Sequence, residues 1–210
     1  MAADTGLELV VVRHGVTRWN LERRYQGQRD IPLSLEDARP GLERLRRALA
    51  AEAFDAVYCS DLLRCRQTLD FVRPDTMAAA RFDPRLRELD FGAYEGRTWE
   101  VLKDDPDYRA WVDSAGELAP PNGESAEQLW GRLSDWLDAV LLGVRSQGHR
   151  RVLAVSHGGA IRELRRRLEA TDFWSGSVTQ AEGRRFVLHH HAGSWTCTAT
   201  SEVPARGVER

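Results

Sequence analysis

Near the amino end of the chain stands Val10-Val11-Val12-Arg13-His14-Gly15, an apolar run that ends abruptly in an arginine, a histidine and a glycine. A short β-branched run of this kind is typical of a strand in the middle of a sheet that is covered on both faces. Ligands of open α/β sheets bind at the carboxyl ends of such strands. Arginine offers a permanent charge with a planar fork of donors, and histidine offers a nucleophile or a proton carrier. Alone, the triplet is more often an ordinary loop, so a site is expected here only if other strand ends supply partners.

The composition is that of a soluble globular protein, because 42% of its 210 residues are hydrophobic and 30% are charged. This length suits one domain, 1–210, with a sizeable core. A net charge of -2 gives no reason to expect a nucleic-acid partner. No apolar run is long enough to span a membrane and the first residues form no secretory signal, so we expect a cytoplasmic protein with no membrane partner. Three cysteines, Cys59, Cys65 and Cys197, cannot all pair and lack metal-ligand spacing.

Segments with the pattern of strands and helices alternate along the chain. We expect strands at about 8–13, 54–59, 78–82 and 152–156, helices at about 34–53, 62–72, 124–144 and 160–170, and a hairpin of 184–190 with 194–201. This order predicts an α/β fold, namely a three-layer α-β-α sandwich with a mostly parallel central sheet. Pro40 lies inside the first helix, so its regular part is expected to begin only there. Ser60 and Asp61 are expected to cap the second helix.

The segment at about 90–123 shows no clear period. It is polar, is dotted with tryptophan and carries several prolines. We interpret it as an inserted lid over the carboxyl edge of the sheet rather than as part of the sheet. Its aromatic residues Trp99, Tyr108 and Trp111 have two interpretations of equal weight, contact with a substrate and packing within the lid.

Four separate places offer polar chemistry where strands are expected to end. They are Arg13-His14-Gly15, the segment from Ser60 to Thr68 that contains Arg64, the carboxylate of Glu88, and Ser156-His157-Gly158-Gly159. Two histidines and two arginines at one edge would repel each other if all were charged, and a bound anion relieves that repulsion. A tetrahedral phosphoryl group matches the arginine forks. The amino end of the helix after His157 adds backbone donors.

The charged residues of this set have structural alternatives. The alternative for Arg64 is an ion pair with Asp61 or Glu88. Asp90 and Glu95 lie close to Glu88 in the sequence and compete with it as the functional carboxylate.

The histidines have alternatives as well. A satisfied core position is the alternative for His157. The run His189-His190-His191 suggests a metal site, but alternate residues of a strand face opposite sides, so that only two of the three can share a site. We favour a hairpin surface for this run.

A larger ordered set of motifs extends these four places. It comprises Arg13-His14-Gly15 with Thr17, Trp19 and Asn20, then Gln26-Gly27, then Ser60-Asp61-Leu62 with Arg64 and Thr68, then Leu86-Arg87-Glu88 with Phe91-Gly92 and Glu95-Gly96, then Gly123-Glu124-Ser125, and finally Ser156-His157-Gly158-Gly159. In order and spacing, from about residue 8 to 200, this set resembles the histidine phosphatase superfamily, the phosphoglycerate mutase-like proteins. Any one motif is weak, but the ordered set is highly specific.

The resemblance implies a mechanism of phosphoryl transfer. His14 is implied to attack phosphorus and to become a phosphohistidine. Arg13, Arg64 and His157 are implied to hold the phosphoryl oxygens and to stabilise the charge of the transition state. Glu88 is implied to be the general acid for the leaving alkoxide and later to activate the water that hydrolyses the phosphoenzyme.

The resemblance also implies further contacts with the phosphate. They come from Asn20, Thr17, Gln26, Gly27 and Gly158. No metal or other cofactor is expected, because fixed cations perform the electrostatic work. The expected partner is a small-molecule phosphate monoester, and the chain is expected to act as a monomer or as a homodimer.

Two enzymatic activities compete within this resemblance. The segment between Glu88 and Pro120 is short for a mutase, and a short lid should admit water, which favours hydrolysis. The segments around Arg64 and from Phe91 to Trp99 look most like those of α-ribazole phosphatases and broad-specificity members, so we predict a phosphomonoesterase, with α-ribazole phosphate as a candidate substrate. The alternative is a cofactor-dependent phosphoglycerate mutase. A module that binds phosphorylated ligands without turnover is disfavoured, because both His14 and Glu88 are present.

Overall fold

Six strands form one sheet in the computed structural model, which describes residues 5–172 and 174–205. They are β1 (Thr5–Arg13), β2 (Ala56–Cys59), β3 (Arg81–Phe82), β4 (Arg151–Ser156), β5 (Gly183–His191) and β6 (Ser194–Val203). Across the sheet their order is β3-β2-β4-β1-β5-β6. The strands β1 to β4 are parallel, whereas β5 runs antiparallel to β1 and to β6. The predicted α/β class with a mostly parallel sheet is confirmed.

Helices cover both faces of this sheet. The α-helices of the described residues are α1 (Arg18–Leu21), α2 (Leu35–Leu49), α3 (Leu63–Val72), α4 (Trp99–Leu102), α5 (Pro106–Asp113), α6 (Ala126–Gln147) and α7 (Gly158–Glu169). The apolar sides of α2 and α3 share one core with the sheet, and those of α6 and α7 share the other. Three layers result, as predicted. Within the described part of the chain, every helix is too short or too polar to cross a membrane.

The first strand lies in the middle of the sheet, between β4 and β5. Val10 stands opposite Leu153 of β4 and Arg185 of β5. Successive side chains alternate between the two cores, so that Val11 packs in one of them and Val10 and Val12 pack in the other. Because both faces are covered, an uninterrupted apolar run is what this position requires.

The helix α2 begins at Leu35, so the expectation that its regular part starts only at Pro40 is wrong. Pro40 lies inside the helix on its exposed side, and its missing N–H deprives the carbonyl of Glu36 of a helical partner. Glu36 is exposed as well, so this carbonyl lies where water can reach it. Burial of Ala38 and Leu42 on the inner side favours a continuous helix.

Ser60 and Asp61 do not cap α3, contrary to expectation. Leu62 is the N-cap, and it makes no side-chain capping bond. The hydroxyl of Ser60 instead lies 2.8 Å from Nε2 of His157, and Asp61 forms an ion pair with Arg87. Both side chains therefore contact residues outside α3.

Other element ends differ from expectation by a few residues. The strand β2 begins at Ala56 rather than 54, β3 is limited to Arg81–Phe82, α2 ends at Leu49, and α6 spans Ala126–Gln147. The helix α7 begins at Gly158 rather than 160, which places the glycine pair in its first turn, where N–H groups lack helical partners. The predicted hairpin is present as β5 and β6.

The segment predicted as a lid contains short helices with aromatic packing. Tyr108 and Trp111 are buried, and their rings lie 6.0 and 5.9 Å from that of Tyr25. Phe91 closes the same cluster, 5.9 Å from Trp111. For Tyr108 and Trp111 the packing interpretation is therefore the better one, whereas Trp99 is 55% exposed.

Candidate active site

A cavity of about 200 Å³ opens at the carboxyl ends of β1 and β4. Most of the residues singled out from the sequence line it. They are Arg13, His14, Asn20, Gln26, Gly27, Arg64, Glu88 and Gly158. Thr17 and His157 do not line the cavity, although both are fully buried beside residues that do.

His14 is held as a neutral imidazole at the wall of the cavity. It is 2% exposed, and its Nδ1 lies 2.7 Å from the carbonyl oxygen of Gly15. A carbonyl only accepts, so Nδ1 carries the proton and Nε2 keeps its lone pair. Burial, together with the charges of Arg64 and Arg13, holds the pKa of His14 well below its usual range. The ring therefore offers a nucleophilic nitrogen at neutral pH.

Arg13 is anchored on one side only. Its Nη1 donates to the carbonyl of Val178 at 2.7 Å. Its Nε is buried and meets no hydrogen-bond acceptor among the described residues. The guanidinium lies against Gly158, where a Cβ would stand 3.0 Å from Cζ of the arginine. An anion in the cavity would supply the missing acceptor.

Arg64 is fixed by carbonyl groups rather than by an acid. Its Nη2 donates to Gly27 and its Nη1 to Arg29, both at 2.7 Å, while Nε donates to Nδ1 of His157 at 3.2 Å. The alternative of an ion pair with Asp61 or Glu88 is therefore wrong. Since no carboxylate neutralises it at these contacts, the charge of Arg64 is directed to the cavity that it lines.

His157 lies behind Arg64 rather than in the cavity. Its Nδ1 accepts from Arg64, so Nε2 carries the proton and donates to Ser60 Oγ at 2.8 Å. Burial and the charge of Arg64 hold the pKa of His157 well below its usual range. Its ring stands edge-on to His14, with 5.2 Å between centroids. Because both histidines are neutral, the predicted repulsion among four cations is limited to that between Arg13 and Arg64. The contact at Nε shows that His157 orients Arg64.

Thr17 supports two side chains that do line the cavity. Its hydroxyl donates to Oε1 of Gln26 at 2.8 Å, and its amide donates to Oδ1 of Asn20 at 3.0 Å. The amide oxygens of Gln26 and Asn20 are thereby turned towards Thr17. Their NH₂ groups are the ends left for an anion.

Glu88 is the carboxylate that reaches the cavity. Its Oε1 accepts from the amide of Leu89 at 2.9 Å and its Oε2 from the amide of Gly159 at 3.0 Å. The rivals are engaged elsewhere, since Asp90 accepts from the amide of Gly92 and Glu95 accepts from the amide of Gln28. Neither rival lines the cavity.

Several lining residues were missed in the sequence, and Arg162 is the most important of them. It stands one helical turn after Gly158 in α7, so the i, i+4 spacing would have placed it on the same side of the helix. Its guanidinium lies 5.3 Å from the ring centre of Trp174. Ser177 and Val178 come from the irregular segment before β5, which carries no periodic signal.

The histidine run belongs to the hairpin, as favoured. Within residues 5–172 and 174–205, no group of three or more histidine, cysteine, aspartate or glutamate side chains is arranged to hold a metal ion. The run follows β5 to its last residue, His191, which is exposed.

Comparison with known proteins gives one consistent set of relatives. The family model described as histidine phosphatase superfamily (branch 1) matches residues 9–202. A curated protein from Cronobacter sakazakii, named probable phosphoglycerate mutase GpmB, is 35% identical over 157 residues, which are 74% of this chain and 71% of that protein. The solved alpha-ribazole phosphatase from Shigella flexneri is 26% identical with a TM-score of 0.79, over 97% of this chain and 100% of that one. A phosphoglycerate mutase structure from Bacillus anthracis is 25% identical with a TM-score of 0.77, over 93% of each chain.

Proposed function

The chain belongs to the histidine phosphatase superfamily, and we propose that it is a phosphomonoesterase that hydrolyses a small-molecule phosphate ester through a phosphohistidine on His14. The observation that carries this proposal is the 2.7 Å contact between Nδ1 of His14 and the carbonyl oxygen of Gly15, which assigns the ring proton to Nδ1. Its Nδ1–H is committed to Gly15, so the lone pair of Nε2 is free to attack an ester bound in the cavity. Arg13 and Arg64 line the same cavity and match the charge of the phosphoryl group.

In the first half of the reaction, Nε2 of His14 attacks phosphorus and the bond from phosphorus to the ester oxygen breaks. Glu88 gives its proton to the departing alkoxide, which leaves as the alcohol. Arg13 and Arg64 stabilise the charge on the phosphoryl oxygens throughout. The products of this half are the alcohol and phosphohistidine, with Glu88 left as a carboxylate.

In the second half, a water molecule attacks the phosphohistidine. The Glu88 carboxylate accepts a proton from that water, the bond from phosphorus to Nε2 breaks, and inorganic phosphate forms. His14 returns as a neutral imidazole and Glu88 returns in its acid form. Each group is regenerated, so the two halves form a closed cycle.

Hydrolysis and phosphoryl return to a second substrate share the first half of this cycle. The alpha-ribazole phosphatase from Shigella flexneri matches nearly the whole chain and supports the hydrolase, with α-ribazole phosphate as a candidate substrate. The curated relatives named probable phosphoglycerate mutase support the second candidate, a cofactor-dependent phosphoglycerate mutase. A module that binds phosphorylated ligands without turnover is the least favoured, since His14 and Glu88 both line the cavity.

The test is an assay of phosphate esters in the presence of a chelator. The panel contains p-nitrophenyl phosphate, an alkyl phosphate, α-ribazole phosphate, and 3-phosphoglycerate with its bisphosphate primer. We expect release of inorganic phosphate to exceed isomerisation, and we expect an alkaline quench during turnover to retain label from ³²P-labelled ester on the protein. Isomerisation faster than phosphate release would replace the hydrolase with the mutase. Turnover abolished by the chelator would overturn the mechanism.

A further inference from the structure

The motif Gly123-Glu124-Ser125 stands apart from the cavity and has no part in the chemistry above. Ser125 has a local task, because its hydroxyl accepts from the amide of Gln128 and caps α6. The task of Glu124 is different. Its carboxylate turns away from the helix end, towards the segment that carries Glu88.

Glu124 forms a bidentate ion pair with Arg132, which lies about two turns inside α6. Nε of Arg132 lies 2.9 Å from Oε1 of Glu124, and Nη2 lies 2.5 Å from Oε2. Oε2 also accepts from the amide of Asp90 at 2.9 Å. The two side chains are 14% and 18% exposed, so the pair is largely shielded from water.

Arg132 directs its remaining donors at the backbone carbonyls of Glu88 and of the residues just before it. Nη1 donates to the carbonyls of Arg85 at 2.8 Å and Arg87 at 2.6 Å, and Nη2 donates to the carbonyl of Glu88 at 2.8 Å. Together with the two bonds to Glu124, all five N–H donors of the guanidinium are used. No other side chain type offers five donors in one plane.

The backbone of Gly123-Glu124-Ser125 also lies close to the segment that carries Glu88. Glu124 donates its amide to the carbonyl of Asp90 at 3.0 Å. A Cβ at Gly123 would stand 2.4 Å from that same oxygen, so only glycine permits this approach. The motif and the ion pair therefore hold one short stretch, 85–90, from several directions.

We propose that Glu124 and Arg132 are positioning residues for the general acid. They fix the backbone at Glu88 from one side, and the amide of Gly159 fixes its carboxylate from the other. This inference rests on the proposed function, in which Glu88 protonates the leaving group. Removal of either partner leaves three backbone carbonyls or a shielded charge without a partner, and the stretch 85–90 shifts to find new ones.

The leaving group reports on such a shift. An alkyl phosphate needs a well-placed acid, because an alkoxide leaves poorly, whereas p-nitrophenyl phosphate needs little help. The ratio of kcat/KM for the two esters therefore measures how well the acid is placed. Because both esters are assayed on one preparation, loss of folded protein cancels from the ratio.

The variants are Glu124→Gln, Arg132→Met and Glu88→Gln. Glu88→Gln is expected to lower kcat/KM for the alkyl ester by about 10²-fold or more, with a much smaller loss for p-nitrophenyl phosphate. Glu124→Gln and Arg132→Met should change the ratio in the same direction, by about 10-fold. In the double variant of Arg132→Met with Glu88→Gln, the ratio should equal that of Glu88→Gln alone, because an absent acid cannot be misplaced further.

Glu169→Gln is the matched control. Glu169 is 10% exposed and pairs with Arg165 and Arg184 on the far end of α7, without contact to Glu88. This variant should keep the ratio of the wild type. The inference is overturned if Glu88→Gln changes the ratio while Glu124→Gln and Arg132→Met do not, or if Glu169→Gln changes it equally. If Glu88→Gln leaves the ratio unchanged, the acid role in the proposed function fails, and the inference fails with it.

Discussion

The nucleophile and the general acid of this site are held by different parts of the molecule. The amide of His14 donates to the carbonyl of Ser156 at 3.0 Å, which continues the ladder between β1 and β4 by one residue. Glu88 belongs to no strand. Its carbonyl accepts from Arg132 and its carboxylate from the amide of Gly159. The sheet thus places the nucleophile, whereas side chains and a helix end place the acid.

This difference separates two kinds of sensitivity. Backbone ladders tolerate many changes of side chain, so the position of His14 depends on the sheet as a whole. The segment that carries Glu88 is held largely by side chains, above all by that of Arg132, so its position depends on those few residues. Substitutions far from the cavity are therefore expected to displace Glu88, and so to change the leaving-group dependence of phosphohistidine formation, more readily than they displace His14.

The largest effect is expected from removal of the nucleophile His14, which the sheet holds in place. His14→Ala should lower kcat/KM on the order of 10⁴-fold or more, because no other residue carries the phosphoryl group. After an alkaline quench the variant should retain no ³²P label. His191→Ala, in the exposed hairpin, should retain label as the wild type does. Label retained on His14→Ala would assign the nucleophile to another residue.

The part of the site that the sheet holds, around His14, was the easier one to predict from the sequence. Buried parallel strands appear in a sequence as uninterrupted apolar runs. The runs Val10 to Val12 and Val152 to Val155 therefore predict two central strands of the sheet, and they predict that His14 and His157 lie at its carboxyl edge. Their chemistry follows from residue type. What the run cannot show is that His157 faces Arg64 and Ser60 rather than the cavity, since that depends on rotamers fixed by packing.

The acid-holding half was only partly predictable. Glu88 was found through its motif, but its support was not, because Arg132 lies far from it in sequence and acts through backbone carbonyls that have no residue signature. Arg162 was missed, although its i, i+4 spacing from Gly158 could have placed it on the same side of α7.

The start of α2 was predicted wrongly, because the cost of a proline inside a helix was considered without the stabilisation from burial of Leu42.

A smaller effect should distinguish the two halves through neighbouring glycines. A Cβ at Gly159 would stand 2.2 Å from Oε1 of Glu88, whereas a Cβ at Gly158 would stand 3.0 Å from Cζ of Arg13. Gly159→Ala should therefore displace the acid and lower kcat/KM for alkyl phosphates by about 10²-fold, with a smaller loss for p-nitrophenyl phosphate. Gly158→Ala should lower both by a similar factor, since Arg13 serves every ester. Equal losses for both esters in Gly159→Ala would contradict this division.

The neutral histidines give the folded protein a pH dependence. In the folded state the pKa values of His14 and His157 lie well below 6.5, the ordinary value of the unfolded chain. The unfolded state therefore binds more protons than the folded state once the pH falls below about 6.5. The stability that the two neutral histidines contribute is fully present above that pH, and it is lost as the pH falls towards their folded pKa values. Each histidine should contribute a slope approaching about 1.4 kcal/mol per pH unit. Urea unfolding of the wild type and of His14→Gln at pH values between about 7.5 and 5 measures this slope. An equal slope in both proteins would exclude His14 as a source of the pH dependence.

The smallest effect is expected in the helix that carries Arg132. Gly131 lies inside α6 on its exposed side, and a Cβ there would meet nothing within 4 Å. Gly131→Ala should therefore raise the free energy of unfolding by about 0.5–1 kcal/mol, because alanine loses less backbone freedom on folding. Since Arg132 already uses all of its donors, a firmer helix should leave the ratio of kcat/KM for alkyl and p-nitrophenyl esters unchanged. Urea unfolding measures the change in stability, and assays of the two esters on one preparation measure the ratio. A changed ratio would mean that motion of α6, and not the contacts of Arg132, limits how well Glu88 is placed.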